Sequence, residues 1–110
     1  MRYLSLCSGI EAATVAWRSL GWQPVAFAEI AAFPAALLSY RYPDVPNLGD
    51  LRGINGADFR GKSDVLVGGT PCQSFSVAGR RRGLEDERGN LALEFVRIAD
   101  ESAPAFVVWE

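Results

Sequence analysis

The residue best placed to do chemistry is Cys72. The stretch Gly68-Gly69-Thr70-Pro71-Cys72-Gln73-Ser74-Phe75-Ser76 sets a cysteine on a rigid proline, after an apolar segment and inside a polar loop. A structural cysteine usually sits among apolar residues. Cys72 is flanked instead by Pro71 and Gln73, and Arg80, Arg81, Arg82 and Arg88 follow it. Nearby cations favour the thiolate, which is the reactive form. The chain has no histidine, which excludes Ser-His and Cys-His nucleophile pairs and most zinc sites. The other cysteine, Cys7, is far away in sequence and has no metal-ligand neighbours. Neither a disulfide framework nor a metal site is expected. A cysteine-based redox role lacks a second cysteine nearby. On these residues alone, a nucleophile and an unreactive loop cysteine both stay open.

A second group of residues suits a nucleoside. Gly9 closes the first strand-to-helix turn, and Glu29 lies about twenty residues on, where a carboxylate can accept both hydroxyls of an adenosine ribose. Taken singly, Glu29 reads better as an exposed acid at a strand end. Asp50 could bind the amino group of an adenine, yet Gly49-Asp50 is also an ordinary turn pair. The turn lacks the second and third glycines that let a backbone approach a pyrophosphate. This favours S-adenosylmethionine, which has no pyrophosphate, over a nicotinamide cofactor.

The elements that would position these residues alternate. Residues 2–6 read as a strand ended by Ser8 and Gly9. A helix over 10–20 carries Ile10, Ala13, Trp17 and Leu20 at helical spacing, with a Ser8/Glu11 capping box and Gly21 as its stop. A second strand covers 24–28. A second helix follows, with Pro34 in its first turn and Phe33, Leu37 and Tyr40 on one face. A short third strand is expected near 45–48, and a strand buried on both faces over 64–67. Residues 68–90 form a loop of a length usually reserved for function. A helix over 91–101 and a strand over 105–109 complete the pattern, which predicts an α/β fold with a parallel, doubly wound sheet. Ligands of such sheets bind beyond the carboxyl ends of the strands. Cys7 to Gly9, Glu29, Asp50, Gly69 to Cys72 and Glu110 all fall there. Trp17, Trp22 and Trp109 read as packing residues.

The bulk properties set limits. With 110 residues, 49% of them hydrophobic, the chain suits one folded domain. No apolar run reaches a membrane span, and the start lacks a secretory signal, so a cytoplasmic protein is expected. The net charge of −2 does not advertise nucleic-acid binding, and any DNA-facing basic surface must be local or lie on something this chain lacks.

The loop Gly-Gly-Thr-Pro-Cys-Gln-Ser-Phe-Ser-Val-Ala-Gly over 68–79, followed by Gly83-Leu84-Glu85-Asp86-Glu87-Arg88-Gly89-Asn90-Leu91, resembles the catalytic loop of DNA cytosine-5 methyltransferases. Leu6-Cys7-Ser8-Gly9-Ile10-Glu11-Ala12-Ala13-Thr14-Val15-Ala16-Trp17 resembles the cofactor motif of a phage-associated branch, with Cys7 where the family usually has a phenylalanine. Phe106-Val107-Val108-Trp109-Glu110 resembles the strand leading into the family's Glu-Asn-Val motif.

The resemblance implies a Rossmann-like S-adenosylmethionine-dependent methyltransferase fold, cut after the fifth strand. Residues 1–110 would be the N-terminal part of the catalytic domain, without the target-recognition region. It implies base flipping of a cytosine from double-stranded DNA, addition of the Cys72 thiolate to carbon 6, and Glu110 at ring nitrogen 3. It implies that Cys7, Gly9, Glu29, Ile30, Asp50, Leu51, Gly69, Pro71 and Leu91 line the cofactor site. Gln73, Ser76 and Arg88 would belong to a loop that closes over DNA. Arg80, Arg81 and Arg82 would touch phosphates, where composition alone suggests a solvated loop tip. A half-enzyme completed by a C-terminal partner chain, or a non-catalytic cofactor-binding remnant, are the competing expectations.

Overall fold

A computed structural model describes residues 1–70 and 87–110, the side chains of 87–90 excepted. Four parallel strands form one sheet in the order β2-β1-β3-β4. They are β1 (Arg2–Leu6), β2 (Gln23–Ala28), β3 (Val65–Gly68) and β4 (Phe106–Trp109). Among the described residues three α-helices accompany them: α1 (Ala12–Trp17), α2 (Ala32–Arg41) and α3 (Glu87–Ser102). Parallel neighbours require crossovers, and the apolar run of β1 shows why it takes a central place. Tyr3, Leu4 and Leu6 are fully buried, as a strand covered on both faces demands.

Alternation along the strands divides the core. Leu4, Leu6, Ala26, Ala28 and Leu66 pack against Phe95 and Ile98 of α3 and against Leu51 and Ile54. On the other face Tyr3 meets Trp17, ring centroids 5.0 Å apart, and its hydroxyl bonds Thr14 Oγ1 at 2.6 Å. Helices on both faces make the sheet doubly wound, as expected. Burying Phe95 and Ile98 contributes about 2 kcal/mol each by transfer alone.

Arg97 of α3 fastens the segment between α2 and β3. Its guanidinium donates to Leu51 O at 3.0 Å and Ile54 O at 2.7 Å, while Glu94 and Glu101 hold it from its own helix. Glu101 also accepts from Gly56 N at 2.8 Å.

Several local expectations are corrected. The segment at 45–48 is no strand: it makes one bridge, Phe27↔Asn47. Phe27 N–H donates to Pro46 O at 2.9 Å and Leu48 N–H to Phe27 O at 2.7 Å. Pro43 and Pro46 have no N–H to extend the ladder, so four strands are present among the described residues where five were expected. The capping box does not form. Glu11 is itself the N-cap of α1, with φ 67°, and accepts from Thr14 N at 3.1 Å. Ser8 instead donates from Oγ to Ser5 O at 2.9 Å and accepts from Ala28 N at 3.2 Å. The first helix is accordingly short, ending in a 3-10 turn, Arg18–Leu20, with Gly21 at φ 74° as the stop. In α2 the buried residue is Leu38, while Phe33 and Tyr40 stand exposed. Tyr42, just beyond the helix, packs on Phe27 at 5.5 Å and draws that side inward. The last helix begins at Glu87 rather than 91.

Candidate active site

The turn between β1 and α1 is built from unusual backbone. Cys7 (φ 51°), Gly9 (φ 57°) and Glu11 (φ 67°) all lie in the left-handed region, which costs a non-glycine residue about 1–2 kcal/mol. Hydrogen bonds offset the cost. Ser8 stitches β1 to β2, and the Glu11 carboxylate, almost fully buried, accepts from Ser5 Oγ at 2.7 Å as well as from Thr14 N. Burial raises the Glu11 pKa, and the Ser5 hydrogen bond opposes that rise.

This turn forms one side of a cleft of about 260 Å³ at the carboxyl edge of the sheet. Cys7, Glu29, Ile30, Asp50, Leu51, Gly69 and Leu91 line it, together with Ala28 and Gly49. Seven of the nine expected cofactor residues are thus brought together. Gly9 is not a wall residue; its N–H donates to Glu29 Oε1 at 2.7 Å. Pro71 lies outside the described residues. Ala28 and Gly49 were not among the expected residues, although each adjoins one that was.

Backbone N–H groups orient the Glu29 carboxylate. Its Oε1 accepts from Gly9 N and its Oε2 from Ala31 N at 2.8 Å. A carboxylate has about four lone-pair positions, so each oxygen retains capacity for one further donor. A pair of vicinal hydroxyls matches that demand, and Ile30, Leu51 and Leu91 supply apolar walls for a flat base. The residues fit a nucleoside. Asp50 differs: its carboxylate takes a bidentate contact from Arg52, with Nη2 at 2.9 Å, and also caps the 3-10 turn Leu51–Gly53. The Arg52 hydrogen bonds hold the Asp50 carboxyl below the usual carboxylate range.

Cys7 faces the same cleft. Burial first, then the charges of Glu29 and Asp50, push its thiol up to about 11. At pH 8 the thiolate fraction is then on the order of 10⁻³. Alkylation of Cys7 by iodoacetamide should therefore rise about tenfold per pH unit from pH 7 to about pH 10. Peptide mass spectrometry across that range checks it. A rate profile that levels off near pH 8.5 would show an ordinary thiol.

A second cavity, about 220 Å³, lies on the other side of Cys7 and Gly69. Glu11, Ser8, Val108 and Glu110 border it. The Glu110 N–H donates to Gly68 O at 3.1 Å, which carries the β3–β4 ladder past Trp109. Trp109 stacks on Phe95 at 5.9 Å and donates from Nε1 to Thr70 Oγ1 at 3.0 Å, a tie to the base of the cysteine loop. Cys72, Gln73, Ser76, Arg80, Arg81 and Arg82 lie outside the described residues. Arg88 is placed only by the backbone of α3. Among the described residues, no helix is long and apolar enough to cross a membrane, and no group of acidic, cysteine or histidine side chains could hold a metal ion.

Comparison with known proteins narrows the assignment. The family described as C-5 cytosine-specific DNA methylase matches residues 1–110. A protein of Escherichia phage P1 named DNA N-6-adenine-methyltransferase is 50% identical over 98% of this chain, which spans 16% of that protein. The orphan methyltransferase M.SPRI of Bacillus phage SPR is 40% identical over the whole chain, which spans 26% of it. The chain therefore covers about a sixth and a quarter of these two relatives. Among solved structures, a protein described as a DNA modification methyltransferase encoded within an E. coli prophage superposes with a TM-score of 0.80. The likeness covers 99% of this chain and 31% of that one at 22% identity, and it shows the Rossmann-like methyltransferase fold. With a family match along its full length, this chain belongs to the C-5 cytosine-specific DNA methylases.

Proposed function

We propose that this chain carries the S-adenosylmethionine site and the nucleophile of an enzyme that methylates carbon 5 of cytosine in double-stranded DNA. It would form the N-terminal part of the catalytic domain and act with the remainder of such an enzyme, in one polypeptide or two. The observation that carries the cofactor reading is the Glu29 carboxylate, oriented by Gly9 and Ala31 at the mouth of an apolar cleft. Glu29 would accept the two ribose hydroxyls, Ile30, Leu51 and Leu91 would sandwich the adenine, and Asp50 would meet its edge. The bound cofactor supplies an electrophilic methyl group.

The chain's own residues supply the rest of the chemistry. Cys72 thiolate would form a bond to ring carbon 6 of a flipped cytosine, and the carbon 5–carbon 6 π pair would move onto carbon 5. Glu110, at the end of β4, would hold or protonate ring nitrogen 3 and so neutralise charge building on the ring. The carbon 5 pair would thereby become the acceptor for the cofactor's methyl group, whose bond to sulfur would break to leave a thioether. Transfer of the carbon 5 proton to water would then restore the double bond and expel the thiolate. Splitting the reaction in this way makes an unreactive aromatic carbon nucleophilic. Gln73, Ser76, Arg88 and the arginines at 80–82 would serve the DNA side, the last three as phosphate contacts.

Calorimetric titration with S-adenosylhomocysteine tests the cofactor reading. The wild-type chain should bind, and Glu29→Ala should weaken binding about 100-fold, since two hydrogen bonds to a charged acceptor are lost. Absence of binding by the wild type would remove the reading. Unchanged affinity in Glu29→Ala would remove Glu29 from it.

A further inference from the structure

The structure assigns a positioning role to Asn47, which no motif identifies. Asn47 clamps the Glu29 peptide to the Gly49 turn, so that the Glu29 carboxylate meets a ribose in one fixed orientation. This inference rests on the S-adenosylmethionine reading above.

On the outer edge of β2 the described residues offer one bridge, Phe27↔Asn47, and no strand. Two residues further, Glu29 would leave its backbone groups to solvent. The Asn47 side chain takes them instead. Its Oδ1 accepts from Glu29 N at 2.9 Å, and its Nδ2 donates to Glu29 O at 3.0 Å. The amide thus acts as one more ladder residue where the backbone turns away at Gly49, φ 77°. The same Oδ1 accepts from Gly49 N at 3.1 Å.

Both partners line the cleft, and both N–H groups converge on the one Asn47 oxygen. One side chain therefore ties the backbone from which the carboxylate projects to the Gly49 turn beside it. The carboxylate end of Glu29 is fixed separately, by Gly9 and Ala31. An ordinary Asx turn accounts for the Asn47–Gly49 bond. It does not account for the paired bonds to Glu29, 18 residues away in sequence.

A double-mutant cycle tests this with S-adenosylhomocysteine titrated into the full chain. Asn47→Ala should weaken binding about tenfold in the wild-type background and less than about twofold in Glu29→Ala, because it acts through Glu29. It should also erase most of the preference for S-adenosylhomocysteine over its 2′,3′-dideoxyribose analogue, which a general loss of fold would not do selectively. Equal losses in both backgrounds, or an intact ribose preference, would overturn the assignment. Should Asn47→Ala fail to fold, Asn47→Asp keeps the Oδ1 acceptor and removes the donor. It should then lose roughly threefold in affinity with the ribose preference reduced, and wild-type behaviour would overturn the role. If the wild type does not bind at all, the cofactor reading falls and takes this one with it.

Discussion

Gly68→Ala is expected to destabilise the fold by about 3 kcal/mol or more and to lower the unfolding temperature by more than about 10 °C. Gly68 ends β3, between Leu6 of β1 and Trp109 of β4. A Cβ there would stand 2.5 Å from Leu6 O and 2.9 Å from the Phe95 ring, and the first of these is backbone that cannot swing aside. Relief requires β1 and β3 to part at the edge where Cys7 and Gly69 wall the cleft. The neighbouring Gly69 provides the control. Its Cβ would come no nearer than 3.8 Å to Glu110 O, so Gly69→Ala should unfold within a few degrees of wild type. Thermal unfolding followed by circular dichroism separates the two variants. Equal stability for both would mean that the sheet opens at little cost.

Much of this architecture could be read directly from residue order. The apolar run at β3 and the strand ends marked by Gly9, Glu29 and Gly69 are local signals of a parallel sheet with its site at one edge. Where expectation and structure part, the reason is contact between distant segments. Ser8 and Glu11 have the spacing of a capping box. Left-handed backbone at Gly9 and Glu11 delays the helix, so Glu11 becomes the cap and Ser8 joins β2. In α2 apolar residues occupy more than one face, and tertiary packing leaves Leu38 buried while Phe33 and Tyr40 stay exposed.

The site divides along the same line. Glu29 could be singled out because a carboxylate at the end of the second strand has a chemical meaning there. Asn47 could not, since an asparagine in a run of prolines and glycines reads as a turn, and its bonds to Glu29 close a loop of 18 residues. Asp50 was legible as a wall residue, whereas the grip of Arg52 on its carboxylate was not. Chemical types are visible in a sequence; hydrogen bonds that substitute a side chain for backbone are not.

Replacing Cys72 by serine should abolish cytosine methylation, with a loss of more than about 10³-fold. A cysteine thiol titrates near pH 8.5 and furnishes thiolate at neutral pH, whereas a serine hydroxyl needs a base to take its proton. The chain has no histidine to act as one. Cys7 cannot stand in, because its thiol is pushed up to about 11 and is almost wholly protonated at pH 8. The assay joins or mixes the chain with the remainder of a methyltransferase and supplies two substrates, ordinary duplex DNA to read the methylated base and DNA carrying 5-fluorocytosine to trap the adduct. Fluorine at carbon 5 cannot leave as a proton does, so the methylated adduct should stay on the protein and map to Cys72 by mass spectrometry. The same experiment weighs the adenine chemistry named for the phage P1 relative. An adenine amino group attacks a methyl donor with its own lone pair and needs no cysteine adduct. N6-methyladenine formed equally by wild type and Cys72→Ser would therefore sink the cytosine reading. 5-Methylcytosine from the wild type alone, with the adduct on Cys72, would mean that the loop at 68–76 carries the nucleophile.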